Sequence, residues 1–224
     1  MLGSDLVRYL YLKFRITGIN KKNYQSHIGT SFDIVINANG NSKRFWANSH
    51  PVEDFIASTV SVYNSIFDFK CSVYVYISSS DVYENHTSPR HTKEDVSIAP
   101  DKLTPYGLHK YFSELLIRKH FNNYLILRSS MILGSNLKKG PLYDAMHHES
   151  LFITRDSRLQ MITTKSIADI ISTLIDKKIT HGVYNMGGMG TFSFSGLDRY
   201  MPGPHVYRAD AEKQLYEMNV AKML

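Results

Sequence analysis

Cysteine is almost absent: the 224 residues hold one, Cys71, so no disulfide can form within the chain. A lone thiol fits a reducing compartment, and the expected location is cytoplasmic. Long apolar runs are missing as well. Stretches such as Val73 to Ile77 fall far short of the roughly 20 residues that cross a bilayer, so no membrane span or membrane partner is expected. The opening MLGSDLVRYL has neither a basic patch leading into an apolar stretch nor a small-residue cleavage site, and reads as no secretion signal. Nor is there an acidic excess: 26 Lys+Arg stand against 20 Asp+Glu, a formal charge of +6. Such a balance invites nucleic acid, yet the basic residues are scattered in pairs such as Lys21-Lys22, Lys43-Arg44, Lys138-Lys139 and Lys177-Lys178, without an arginine-rich run or an aromatic RNA-binding motif. A solvated basic face is expected instead, and no nucleic-acid partner. What remains, 43% hydrophobic and 21% charged residues, suits a globular chain with a real core.

Hydrophobic patterning divides the chain into alternating elements. Leu2 to Phe14 has the spacing of a short amphipathic helix, and Phe14 to Ile19 predicts a strand. FDIVIN, Phe32 to Asn37, is a continuous apolar run of the kind buried on both faces of a parallel sheet. A long helix is predicted from Pro51 to Phe69, a strand at Ser72 to Ser78, a helix at Leu103 to Lys119 and a strand at Tyr124 to Arg128. Further on come a strand at Leu151 to Thr154, a helix at Lys165 to Ile175 and a strand at Gly182 to Asn185. The alternation predicts an α/β fold, a Rossmann-like doubly wound parallel sheet, over residues 1–140, with a smaller mixed part over 141–224 that partly returns to the sheet. Sites in such sheets lie beyond the carboxyl ends of the strands. The residues there are Asn37-Ala38-Asn39-Gly40, Ser78-Ser79-Ser80-Asp81 and Ser129-Ser130-Met131.

Tyr106 and Lys110 stand four apart in YGLHK, so a helix puts both on one face. An ammonium beside a phenol favours the phenolate and turns tyrosine into an acid/base, although such pairs also occur on ordinary surface helices. Upstream, YISSSDVYEN places hydroxyls where a substrate oxygen can be polarised. Taken together, VINANG, SSSDVYEN, PYGLHK, LRSSMILG and VYNMGG make the chain resemble the extended short-chain dehydrogenases/reductases, the NAD(P)-dependent epimerase, dehydratase and nucleotide-sugar reductase group. The resemblance covers nearly the whole chain. It implies Tyr106 as catalytic acid/base, Ser79 as the partner that holds the substrate oxygen, and Lys110 as the group that holds the nicotinamide ribose and lowers the tyrosine pKa. It further implies that Gly3, Asn20, Asn39 and Gly40 line the dinucleotide, and that Ser80, Asp81, Ser130 and Met131 face a nucleotide-sugar substrate, with residues 141–224 forming the substrate-binding part. Asp81 falls where the family's dehydratases carry an acid, whereas LRSSMILG is closer to its ketoreductases. A homodimer through the Tyr-x-x-x-Lys helix and its predecessor is implied as well.

The chain departs from that pattern in several places. The family's first strand and glycine-rich turn are reduced to Gly3, which also reads as an ordinary helix-start glycine. Ser58 stands about where the family has a helix asparagine, Glu84 replaces a glycine after Val82-Tyr83, and one strand-helix unit before FDIVIN is missing or reduced. Asn20, followed by Lys21-Lys22, occupies the place of the acidic residue that selects NAD, so NADP is favoured over NAD as the cofactor. These departures keep a second reading alive, a non-catalytic Rossmann-like binding module. Other motifs read as ordinary structure: His147-His148-Glu149 as a solvated loop rather than a metal site, Gly187-Gly188-Met189-Gly190 as a turn without the lysine of a phosphate loop. Trp46 with Lys43-Arg44 either lines the substrate entrance or anchors the surface.

Overall fold

The computed structural model describes residues 1–41 and 43–223. Helix α1 (Leu2–Leu10) is followed by β1 (Ser31–Asn37), α2 (Arg44–Ser49) and α3 (Pro51–Phe55). A π-helical turn, Ile56–Val60, joins α3 to α4 (Ser61–Asp68), and then come β2 (Lys70–Ser79), α5 (Pro105–His120), β3 (Tyr124–Ser129) and β4 (Met131–Leu133). The remainder holds α6 (Pro141–Met146), β5 (Leu151–Ile153), β6 (Arg158–Leu159), β7 (Met161–Thr163) and α7 (Thr164–Asp176). The last strands are β8 (Gly182–Met186), β9 (Phe192–Ser193), β10 (Tyr207–Glu212) and β11 (Leu215–Tyr216).

The main sheet is parallel throughout, in the order β1-β2-β3-β8. Strand β2 explains the layers. Its side chains alternate, and both sets are apolar, so both faces must be covered. Val73, Val75 and Ile77 pack with Leu125 and Leu127 under α1 and α7, whose Leu6, Leu10, Ile167 and Ile171 complete that core. Tyr74 and Tyr76 point the other way, against Val62, Ile66 and Ile117 of α4 and α5. Burying each such side chain contributes roughly 1.5–3 kcal/mol, which is why the β2 sequence specifies a central strand. A second core of Ala145, Leu151, Ile153, Leu159, Phe194 and Leu197 gathers the short strands that follow residue 140. From the same stretch, α7 and β8 join the first core instead.

Two predicted elements change. Phe14–Ile19 forms no strand. Among the described residues β1 is paired only with β2, so the segment does not take up the free edge of β1; Phe14 and Ile16 rest against the α1/α7 core instead, with the Phe14 N–H donating to the Leu10 carbonyl at 2.9 Å. The predicted helix from 51 to 69 is helical but interrupted by the π turn, and a separate helix, α2, precedes it. A π turn inside a helix bulges one residue outward and is common at functional sites. Among the described residues, no helix is long and apolar enough to cross a membrane.

Candidate active site

Strand β2 runs three residues past the end of β1, whose Asn37 pairs with Tyr76, so Ser79 stands clear of β1 at the carboxyl edge of the sheet, paired with Ser129 of β3. A 3-10 turn, Ser80–Val82, follows it at once. Helix α5 starts beside that turn. Thr104 caps it, with Oγ1 accepting from the Gly107 N–H at 3.4 Å, and Pro105 sets the helical φ of the first turn. Gly107 is required there: a Cβ would run into the Asp81 carbonyl, so only glycine lets α5 close onto the turn. Tyr106 and Lys110 thereby face Ser79. All three are buried.

Ser79 is hydrogen-bonded to Asp81, and Lys110 bonds separately to the backbone of β2. Ser79 Oγ donates to Asp81 Oδ2 at 2.9 Å and accepts from the Asp81 N–H at 3.2 Å. The Tyr106 hydroxyl faces Ser79, whose side chain favours the phenolate. Lys110 Nζ donates to the Ile77 carbonyl at 3.3 Å and lies 5.1 Å from the centre of the Tyr76 ring. Lysine was expected to hold the phenol below its ordinary pKa. Burial instead pushes Tyr106 up, outweighing the Lys110 charge that draws it down, and Asp81 and Tyr76 push the same way as burial. At neutral pH the phenol is protonated and ready to donate.

Burial likewise raises Tyr74, Tyr76 and Tyr83. In the unfolded chain these phenols ionise near pH 10, while in the fold they hold their protons to higher pH. The stability they contribute is therefore complete below about pH 10 and declines as pH rises beyond it. Urea midpoints measured from about pH 9 to about pH 11 are expected to fall progressively; midpoints that stay level would contradict this burial of the four phenols.

On the dinucleotide side, Gly40 has φ +113, a backbone conformation open chiefly to glycine. A Cβ there would sit 3.5 Å from Ser58 Oγ and 3.6 Å from Lys110 Nζ, so the β1 loop, the π turn and α5 converge at this point. Asn39 is exposed; its N–H donates to Asn37 Oδ1 at 2.9 Å and its Nδ2 to Ser61 Oγ at 3.1 Å. Ser80 is buried in the turn next to Asp81. Ser130, at the end of β3, is buried with its Oγ unpartnered among the described residues, and Met131 begins β4. Two expected residues show only local features. Gly3 lies within α1, where a Cβ would meet nothing within 4 Å, so no close approach demands glycine. Asn20 caps its own exposed turn, accepting from the Lys22 N–H at 2.9 Å.

The chain is matched over residues 1–187 by the model of the NAD-dependent epimerase/dehydratase family. It belongs to that family. A search of curated proteins finds no match. Solved structures of similar fold include a dTDP-4-dehydrorhamnose reductase from Bacillus anthracis in complex with NADP, at 19% identity and TM-score 0.78, covering 99% of this chain and 86% of that one. A UDP-galactose 4-epimerase matches at 17% identity and TM-score 0.74, covering 100% and 87%. A UDP-glucuronic acid 4-epimerase mutant from Bacillus cereus, in complex with a fluorinated UDP-sugar and NAD, matches at 17% and 0.72, covering 97% and 77%. At these identities the likeness shows the fold, a Rossmann-like parallel sheet.

This epimerase/dehydratase-family chain holds its site with further groups, of which the sequence singled out Arg44, as either an entrance residue or a surface anchor. Asp81 Oδ1 receives Arg44 Nη1 at 3.3 Å from the start of α2 and the Tyr216 hydroxyl at 3.2 Å from β11, and His86 stacks on Tyr216 at 3.7 Å. Burial lowers the His86 pKa, against the pull of Asp81. Behind the site, the fully buried Glu114 and Arg128 form a two-bond pair at 3.0 and 2.7 Å. Ser78 Oγ donates to the same carboxylate at 2.6 Å, and Arg128 Nη1 donates to the Tyr83 hydroxyl at 2.9 Å. Tyr-x-x-x-Lys spacing is visible in a sequence. That Glu114, one further turn along, meets an arginine from the next strand is not.

Proposed function

We propose that the chain is an NAD(P)-dependent oxidoreductase or epimerase acting on a nucleotide sugar. The observation that carries this reading is the meeting of Ser79, Tyr106 and Lys110 beside Gly40 at the carboxyl edge of the sheet. The residues fit a dinucleotide: Lys110 keeps donors beyond its single carbonyl bond, Gly40 leaves room for close approach, and the Ser130 hydroxyl is buried without a partner. When bound, the nicotinamide would accept or supply the hydride. Lys110 would hold the adjoining ribose, and Ser79 would hold the sugar oxygen. Tyr106 would donate its proton to that oxygen, and the raised phenol pKa keeps that proton available, which suits reduction of a ketone better than proton abstraction. Asp81, Ser80, Ser130 and Met131 would face the sugar.

Two finer assignments accompany this reading. Lys21 and Lys22 are exposed beside Asn20 and offer positive charge to a 2′-phosphate, so NADP is preferred to NAD. Val52 of α3, Ile56 of the π turn, and Tyr63 and Phe67 of α4 are exposed apolar residues and would pair two copies into a homodimer. A binding module without catalysis is the second reading; the edge of β1, unpaired among the described residues, favours it.

Titration with NADPH and NADH, followed by nicotinamide fluorescence, separates the two. Saturable binding, tighter for NADPH, is the expected result. A folded chain that binds neither would leave the binding module as the better reading.

A further inference from the structure

A buried histidine-carboxylate pair sits directly behind the Gly40 loop and takes no part in the chemistry above. Asp54, in α3, is fully buried, and three donors meet it. His109 Nδ1 lies 2.6 Å from Oδ2, while Asn41 Nδ2 and Ser58 Oγ donate to Oδ1 at 2.8 and 3.2 Å. A carboxylate taken out of water is tolerated only when its lone pairs are filled in this way. The residue types are those of a nucleophilic triad, but the order is wrong. Ser58 donates to the aspartate and not to the imidazole, so nothing draws off its proton towards a base.

What the pair does follow from its connections is mechanical. Asn41 immediately follows Gly40, and its N–H donates to Ser58 Oγ at 3.2 Å, so the loop after β1 is tied twice to the Asp54 cluster. His109 immediately precedes Lys110 on α5, and its carbonyl accepts from Thr59 Oγ1 of the π turn at 3.1 Å. Asp54 thus joins the loop that carries Gly40 to the helix that carries Lys110. We infer that His109 and Asp54 are positioning residues that set the width of the slot between Gly40 and Lys110, the wall on which the proposed dinucleotide rests. This inference builds on the proposed function for the ligand, but not for the loop geometry.

The test uses the full chain and two readouts: amide hydrogen exchange of a peptide spanning the β1 loop, and the dissociation constant for NADPH. His109→Leu removes the donor, and His109→Asn supplies an amide N–H in place of Nδ1. Asn41→Ala cuts the loop's side-chain tie from the accessible side and leaves the buried pair intact, so it serves even where His109→Leu does not fold. Loss of one hydrogen bond to a charged group corresponds to roughly a tenfold change. His109→Leu and Asn41→Ala are expected to raise exchange in the loop and weaken NADPH binding about tenfold, with His109→Asn restoring both. Unchanged loop exchange in Asn41→Ala would overturn the inference. So would a general rise in exchange across α5 and the sheet in His109→Leu that the asparagine does not rescue, since that describes a core defect. If the unmodified chain binds no dinucleotide, the proposed function fails, yet loop exchange still decides the positioning role.

Discussion

Tyr106→Phe is expected to lower turnover of a nucleotide sugar by at least about 10²-fold while leaving the fold and dinucleotide affinity nearly unchanged. The phenol is buried, faces Ser79, and keeps its proton because burial outweighs the Lys110 charge. Removing the oxygen removes the proton donor but little packing, because the ring stays. The loss belongs in kcat more than in KM, since a proton transferred in the transition state contributes little to ground-state binding. Steady-state rates with a panel of keto nucleotide sugars, read by NADPH consumption, check this alongside a thermal melt. Full activity in a folded Tyr106→Phe protein would rule out the proton-donor role. A melt that collapses would show instead that the hydroxyl is structural.

Glu114→Ala is expected to be among the most destabilising single changes in the chain. It strands the Arg128 guanidinium, which is 1% exposed, against a vacant volume where its two-bond partner stood. Breaking one half of a buried pair costs about 3–5 kcal/mol, chiefly because the surviving charge stays desolvated. For a domain of this size that corresponds to a melting temperature roughly 6–20 °C lower. Glu114→Leu combined with Arg128→Met removes both charges and is expected to recover much of the loss, since the cost lies in the unpaired ion and not in the missing attraction. Recovery will be incomplete, because Ser78 and Tyr83 each lose a hydrogen bond. A Glu114→Ala melt within about 1 kcal/mol of the parent would show that water reaches Arg128. Because Ser78 adjoins Ser79, the same variant is also expected to disturb the active site before it unfolds.

Local patterns made much of this legible. β2 reads as a strand because every residue from Val73 to Ile77 is apolar, and α5 was expected within two residues of its observed start, Pro105, where the Thr104 cap sets it. Ser79, Tyr106 and Lys110 were nameable as candidates because SSSDVYEN and PYGLHK are short local motifs that carry the family resemblance. Phe14–Ile19 shows where that logic ends. The segment has a strand's composition but no partner, and strand formation depends on a neighbouring backbone that composition does not report. Gly107 is similar: within α5 it looks like a weak helix residue, and its reason lies in the Asp81 carbonyl pressed against it.

By itself, then, the sequence determined the parallel α/β sheet and the layers on its two faces, because hydrophobic period is short-range, and through its family resemblance it singled out Ser79, Tyr106 and Lys110 as candidates. Only the tertiary structure decided that burial holds Tyr106 protonated, that Arg44 and Tyr216 reach Asp81, and that Asp54 binds the Gly40 loop to the Lys110 helix. Each depends on desolvation or on partners far apart in the chain, and these exist only once the elements have packed.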